Sequence, residues 1–365
     1  MQKNPELYIG IMSGTSLDGI DVALVDLAAT PSLVARHFQP YSPVLVETLL
    51  DLHTSGHDEL HRAQLAANQL AHDYAAAVLT LLQSASIKPQ QVRAIGCHGQ
   101  TVRHRPELGY SLQLNNGALL AELTGITVVC DFRARDIAAG GQGAPLVPAF
   151  HDRVLRHPTL HRAILNIGGI ANLTDLAPDR PTTGFDTGPG NLLMNAWISK
   201  HRGTAYDANG AWAGSGKVIP ALLQALLAEP YFAAAPPKST GRDLFNLAWL
   251  ECHLSGKDSA ADVQATLLAL TADSVAAAVR RDCAGTEEIY ICGGGARNAA
   301  LVTYLRAALP ECSIQKTEVL GIAADWMEAV AFAWLAQQAL HLHPGNLPAV
   351  TGARHPCVLG AIYPA

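Results

Sequence analysis

The stretch YIGIMSGTSLDGIDVALVD, residues 8–26, decides the fold. Two apolar runs, residues 8–12 and 20–25, flank a turn crowded with Gly, Ser, Thr and Asp, and together they read as a β-hairpin. Gly14 and Gly19 permit positive φ and close backbone approach, while Ser13, Thr15 and Ser16 set hydroxyls beside backbone N–H groups. Such a turn suits an anion. Asp18 and Asp21 would repel a bare phosphate but suit one that carries Mg2+, so a metal-bound nucleotide is the expected ligand. A plain surface hairpin is the competing reading.

The outline recurs at AILNIGGIANLT, residues 163–174, where an apolar strand enters a turn with paired Gly168 and Gly169 and a second strand leaves over residues 171–176. Two similar halves, each with a Gly-rich turn, could clamp a nucleotide's phosphates and exclude water from the transfer step. The repeat is short, and a chance match stays open.

Between and after these hairpins, strand patterns at residues 33–41, 92–97 and 126–130 alternate with a helical pattern over 60–83, where Leu65, Leu70, Tyr74, Val78 and Leu81 keep near-helical spacing. Strands separated by helices argue for an α/β fold with a partly parallel sheet. A Gly-rich passage at 138–144 breaks the pattern, and the domain change is expected between Asp131 and Ala163. The region 191–283 reads as mostly helical. A strand at 288–292, the turn Gly293-Gly294-Gly295-Ala-Arg-Asn298 and helices at 299–309 and 323–342 follow.

At 365 residues, 49% hydrophobic and 15% charged, the chain has the profile of a compact two-domain enzyme. A net charge of −6 without a long basic run gives nucleic acid and anionic membranes no electrostatic footprint. Seven scattered cysteines with no CxxC pair read as reduced thiols. No signal peptide is visible and no run approaches the roughly 20 apolar residues of a membrane span, so a cytoplasmic location is expected.

Four further motifs bear chemistry. In Phe185-Asp186-Thr-Gly-Pro-Gly-Asn191 a carboxylate sits where a strand meets a helix, a place for a general base or for a cap. Cys97-His98-Gly-Gln100-Thr101 follows a strand and could aim His98 and Gln100 at a polar substrate. Arg133 and Arg135 in DFRARD could meet a carboxylate or phosphate, with surface ion pairing as the alternative. Glu328 lies near a helix start and could reach a cleft, or be a solvated helical acid. The Gly293 to Asn298 turn could approach a flat or anionic ligand, yet it departs from a dinucleotide fingerprint because Asn298 replaces the third Gly. Lys217 in Gly-Ser-Gly-Lys lacks its Walker partners, and His341 and His343 lack nearby acidic or cysteine partners.

With MSGTSLDGID, the second hairpin, FDTGPGN and GGGARN in this order, the chain resembles bacterial anhydro-N-acetylmuramic acid kinases, members of the actin/hexokinase/Hsp70-like superfamily. The resemblance runs over nearly the whole length without departure at those motifs. It implies an α/β fold of two actin-like (ribonuclease H-like) domains, with mixed sheets flanked by helices, around a nucleotide cleft. The expected domains are residues 1–132 plus 345–365 and residues 133–344. Mg2+ and ATP would be gripped by Gly14, Thr15, Ser16, Leu17, Asp18, Gly19, Ile20 and Asp21 and by Gly168, Gly169 and Asn172, with Asp18 and Asp21 on the metal. Gly293, Gly294, Gly295 and Asn298 fall to the adenosine side. Asp186 matches the family's catalytic carboxylate, with Glu328 a second catalytic candidate and His98, Gln100 and Arg133 on the sugar side. The implied reaction opens the 1,6-anhydro ring with water while ATP phosphorylates O6, in peptidoglycan recycling. Sugar and ATP are the expected partners, with no nucleic acid or membrane, and the chain is expected to be a homodimer. A kinase of another free sugar or small acid, or an ATP-switched binding protein, is the competing function.

Overall fold

The computed structural model describes residues 4–14 and 17–365. The expectations placed on Thr15 and Ser16 lie outside the described residues. The chain divides into two compact units, one running through Val154 and including Trp326–Ala365, the other Leu155–Asp325. The expected limits at 132 and 345 fall elsewhere along the chain.

In the first unit, β1 (Leu7–Met12), β2 (Gly19–Asp26) and β3 (Ser32–Pro40) form an antiparallel meander. β4 (Val92–Cys97) lies parallel to β1 on its other side. β5 (Gln100–Arg105) and β6 (Tyr110–Leu114) pair as a separate hairpin. β7 (Val128–Cys130) continues parallel to β4, and Ala361–Tyr363 pairs antiparallel with β7 at the sheet's edge. The sheet order is therefore β3, β2, β1, β4, β7 and then the C-terminal strand.

Alternation along β1 splits its side chains between two covers. Leu7, Ile9 and Ile11 join a core with Leu70, Tyr74, Val78 and Leu81 of the helix Glu59–Ala85. Gly10 faces the other way, onto the helix Met327–Leu340. That helix is buried almost all round, through Val330, Phe332, Trp334 and Leu335 among others, as a helix pressed on a sheet and covered behind must be.

The second unit repeats the path. β8 (Arg162–Ile167), β9 (Ile170–Leu176) and β10 (Thr183–Pro189) form an antiparallel meander, β11 (Glu288–Cys292) runs parallel to β8, and β12 (Ser313–Lys316) runs parallel to β11. The order β10, β9, β8, β11, β12 matches β3, β2, β1, β4, β7 strand for strand. The two hairpins seen in the sequence hold equivalent places in two ribonuclease H-like sheets. Their turns differ: six residues separate β1 from β2, and two separate β8 from β9.

One expectation needs correcting. The helix Ala260–Asp282 is, by length and composition, apolar enough to cross a membrane, and 83% of that apolar stretch is buried in the fold. It is the second unit's core helix, with Val263, Leu267, Leu270 and Val275 inside. Small alanines carry much of its apolar character, which hides it from a search for long runs of large apolar residues.

Candidate functional site

In the first unit the β1–β2 turn is braced by the helix Glu59–Ala85 and by the residues that lead from β4 into β5. Ser13 is buried, and its Oγ meets the Tyr74 hydroxyl at 2.8 Å and donates to the Gly99 carbonyl at 3.1 Å. Its hydroxyl serves the fold rather than pointing at an anion. Gln100, fully buried, donates from Nε2 to the Gly14 carbonyl at 3.1 Å and accepts the Tyr41 hydroxyl at 3.4 Å. The Gly14 carbonyl also accepts the Leu17 N–H at 3.3 Å, and Leu17 holds φ 57°. Gly19 is tight for another reason than a turn: a Cβ there would lie 2.4 Å from the Gln39 carbonyl on β3. Ile20 is buried in the core, Asp18 is exposed, and Asp21 is half-buried opposite Met12.

Beyond β4, His98 extends the sheet by donating its N–H to the Ile11 carbonyl at 3.0 Å. Its ring packs 4.8 Å from Phe332, and its Nε2 accepts from Arg133 Nη2 at 2.8 Å and Nε at 3.3 Å. Burial and the Arg133 cation push His98 down to about 3, so the imidazole is neutral. Arg133 also donates to the Gly143 carbonyl at 2.7 Å. Burial lowers it to about 10 against the opposing charges of Glu328 and Asp136, and it stays a cation at neutral pH. Burial raises Glu328, and Arg133 opposes that rise. Buried Asp136 accepts from the Gly143 N–H at 2.8 Å, Asn346 at 2.6 Å and Thr351 at 2.7 Å, which fixes the loop that carries Arg133. His98, Arg133 and Glu328 thus form one group. Gln100 is spent on the turn behind it. Asp136 was not among the expected residues, since its partners Asn346 and Thr351 are more than 200 positions away.

In the second unit a polar row crosses the sheet: Asn166 on β8 pairs in register with Asn172 on β9, and Asn172 with Asp186 on β10. Just past Asp186 the register slips, so β10 bends before the helix Leu192–Arg202 begins. The segment Gly190 to Leu192 is stitched to the Gly168–Gly169 turn, with Gly190 N–H to Gly169 carbonyl at 2.8 Å and Asn191 N–H to Gly168 carbonyl at 2.8 Å. Asn191 Nδ2 donates to the Ile167 carbonyl at 3.1 Å.

The Gly293–Gly295 loop closes on the same strand end. Gly293 has φ 76°, and a Cβ there would lie 2.3 Å from Asn166 Oδ1. A Cβ on Gly295 would come equally close to Ile167 Cγ2, so only glycines let this loop sit against β8. Gly294 follows into a short 3₁₀ turn. Asn298 caps the helix Ala299–Ala308, its Oδ1 accepting the Leu301 N–H at 3.1 Å. The two glycine turns, Asn172 and Asp186 therefore lie along one edge of one sheet. Asn166 went unremarked in the sequence, although a lone Asn in an apolar strand just before paired glycines was a usable signal.

Asp186 is held from a strap, residues 231–240. Its N–H donates to the Lys238 carbonyl at 3.1 Å, its carbonyl accepts the Tyr231 hydroxyl at 2.8 Å, and its Oδ2 accepts the Thr240 N–H at 3.0 Å. Burial pushes the Asp186 carboxyl up to about 6, against the Thr240 N–H and the Lys238 charge. It is an anion at neutral pH yet basic enough to take a proton, the combination a general base needs. Lys238 and Tyr231 were not among the expected residues.

Among the described residues no group of three or more His, Cys, Asp or Glu is set to hold a metal. His341 faces Glu6 at 3.4 Å, and the Lys217 N–H is taken by Asp262 at 2.7 Å.

Two sheets of one strand order, each opening on a hairpin with a glycine turn, define an α/β protein of two actin-like (ribonuclease H-like) units. A sequence model of anhydro-N-acetylmuramic acid kinase matches residues 6–365, and the chain belongs to that family. Two relatives so named come from Nitrosospira multiformis, 56% identical over 98% of this chain and 99% of its own, and Nitrosomonas europaea, 56% identical over the same shares. Among solved structures, component A of (R)-2-hydroxyglutaryl-CoA dehydratase from Acidaminococcus fermentans is similar at 13% identity and TM-score 0.49, over 90% of this chain and 96% of that one.

Proposed function

We propose that the chain uses ATP to phosphorylate 1,6-anhydro-N-acetylmuramic acid at O6 while water opens the anhydro ring, giving N-acetylmuramic acid 6-phosphate and ADP. Family membership supports the substrate and the place in peptidoglycan recycling. The observation that carries the mechanism is the Asp186 carboxyl, held at about 6 with Oδ2 hydrogen-bonded. Its Oδ1 takes no protein hydrogen bond among the described residues.

In this reading Asp186 takes a proton from water as the water oxygen bonds to the anomeric carbon. The bond from that carbon to O6 breaks, and its electron pair stays on O6. O6 then attacks the γ-phosphorus, and ADP leaves. One base serves both steps, since ring opening itself creates the nucleophile. Arg133 suits the sugar's lactyl carboxylate, with neutral His98 fixing the guanidinium and Glu328 acting as a second acid or base beside it. Gln100 serves the same side by holding the turn.

Gly14 to Asp21, Thr15 and Ser16 among them, would meet the phosphates in the first unit. Gly168, Gly169, Asn172, Gly293, Gly294 and Gly295 would line the nucleotide side of the second, with Asn298 fixing the helix behind them. Mg2+ needs only one or two carboxylates besides phosphates and water, and Asp18 and Asp21 adjoin the turn, so they are the residues that would hold it. There it would neutralise charge on the transferring phosphoryl group.

Seven free cysteines support work in the reducing cytoplasm. The same reading has the chain as a homodimer acting on small molecules, with neither nucleic acid nor membrane as partner; light scattering reads the oligomeric state. ATP consumption with the anhydro sugar, followed by mass analysis of the product, tests the function. A product without the mass of one added water, or equal rates on N-acetylmuramic acid, would sink obligatory ring opening.

A further inference from the structure

Beyond the base itself, the strap over β10 carries a cation whose surroundings are unusual. Lys238 Nζ donates to the Tyr231 carbonyl at 3.1 Å and the Phe232 carbonyl at 3.4 Å, and it lies 4.7 Å from the centre of the Tyr231 ring. That same Tyr231 closes the loop by donating its hydroxyl to the Asp186 carbonyl. Two backbone carbonyls and a ring face therefore fix the ammonium, and no carboxylate pairs with it within 4 Å among the described residues. The backbone of Lys238 meanwhile accepts the Asp186 N–H, and Thr240, two residues on, reaches Oδ2.

The charges around this ammonium come from two elements. Asp186 on β10 attracts it; Arg281 and Asp282, at the end of the helix Ala260–Asp282, repel and attract it respectively. Arg281 is paired with Asp282 and also ties down the strap, donating to the Phe232 carbonyl at 2.7 Å and the Ala234 carbonyl at 3.3 Å. With that pair largely self-neutralised, Lys238 is the cation that Asp186 feels. Tyr231, on the helix Pro230–Ala233, is held in its neutral hydroxyl form by burial and by the Asp186 charge.

We propose that Lys238 is a positioning residue for Asp186: its backbone fixes the strand that carries the carboxylate, and its clamped ammonium favours the ionised form from a distance. A direct ion pair would occupy the carboxylate and lower its basicity sharply. A cation parked on carbonyls and a ring supports the negative charge and leaves Oδ1 open to accept a proton. The proposal rests on the reading of Asp186 as base.

The test is the pH dependence of kcat/KM for the anhydro sugar in wild type, Lys238→Met, Lys238→Arg and Asp186→Asn. Removing the charge is expected to move the acid-limb midpoint up by roughly half a unit to one unit, so the loss is about three- to eightfold larger at pH 5.5 than at pH 8.5. Lys238→Arg is expected to bring the midpoint back toward wild type. An equal loss at both pH values with an unmoved midpoint would overturn the proposal and leave Asp186 as base. Near-normal turnover by Asp186→Asn would instead remove the base assignment, and this proposal with it. Should Lys238→Met fail to fold, Nε-acetyl-lysine at 238 keeps the stem and one donor while removing the charge, and is read against the same outcomes.

Discussion

Gly10 on β1 and Gly96 on β4 stand opposite one another in the parallel ladder, and the helix Met327–Leu340 lies directly on both. A Cβ on Gly10 would fall 1.7 Å from the Ala329 carbonyl oxygen, and one on Gly96 would fall 2.0 Å from that of Phe332. Both obstacles are helix backbone, which cannot rotate aside as a side chain can. The contact brings the start of this helix, and so Glu328, close to the ends of the first unit's central strands.

Gly96→Ala is therefore expected to destabilise the protein by about 3 kcal/mol or more, at the upper end of overpacking costs, because the whole helix must lift. It should also depress turnover through Glu328 and the Phe332 that backs His98. Denaturant unfolding and steady-state kinetics check both, and a change under about 0.5 kcal/mol would show that the helix is free to shift.

Activity should follow the ionisation of Asp186. With its carboxyl at about 6, kcat/KM is expected to be flat near pH 7 to 8 and to fall about tenfold per unit below pH 6. His98 does not contribute to that limb, since its burial beside Arg133 leaves it neutral throughout. Asp186→Asn should abolish turnover while nucleotide binding, measured by calorimetry, stays within a few-fold of wild type.

The same carboxyl should lower stability. Its folded-state value is raised, so the native state binds the proton more tightly than the unfolded chain, and stability declines as pH rises from about 4 through 6. Asp186→Asn cannot ionise, and its amide oxygen can still accept the Thr240 N–H. The variant is expected to be more stable than wild type at pH 8 by roughly 1 to 2 kcal/mol, after discounting for partial exposure, and equal to it at pH 4. Thermal melts at the two pH values read the difference.

Buried Asp136 accepts three hydrogen bonds that no other group on that loop can replace. Asp136→Ala leaves the Gly143 N–H, Asn346 and Thr351 without their acceptor and is expected to cost about 2 to 4 kcal/mol. Asp136→Asn, which retains one acceptor oxygen, should cost less, and the order of the two melting temperatures checks the assignment.

Sequence reading recovered what repeats locally. The two hairpins, the helix seen at 60–83 and found at Glu59–Ala85, and the strand found at Glu288–Cys292 all follow from periodicity and glycine placement. The β5–β6 hairpin escaped because β5 carries one apolar side chain, Val102, among five polar ones, and the short alternation Tyr110, Leu112, Leu114 on β6 is buried only at Leu114. The region 191–283 is less helical than its composition implies, since 234–246 is a loop whose hydrogen bonds go to Asp186 and to Arg281. Lys238 and Thr240 were illegible for that reason: they meet Asp186 across more than 50 intervening residues, and no spacing rule connects them. Gly10 and Gly96 were visible as letters, but their role depends on a helix more than 200 residues downstream.

The pair His98 and Arg133 gives the last prediction. Arg133 places two donors, Nη2 and Nε, on one imidazole nitrogen and a third, Nη1, on the Gly143 carbonyl, a planar fork that an ammonium cannot reproduce. Arg133→Lys keeps the charge and loses the fork. If the guanidinium meets the sugar's carboxylate, KM for the anhydro sugar should rise about tenfold or more, while KM for ATP stays near wild type. Arg133→Met removes the cation as well, so the His98 ring, relieved of a positive neighbour, should titrate at higher pH, and burial should hold Glu328 protonated to higher pH. NMR titration of the His98 ring reads the first effect directly. An unshifted ring together with an unchanged sugar KM would show that the guanidinium only braces the loop at Gly143.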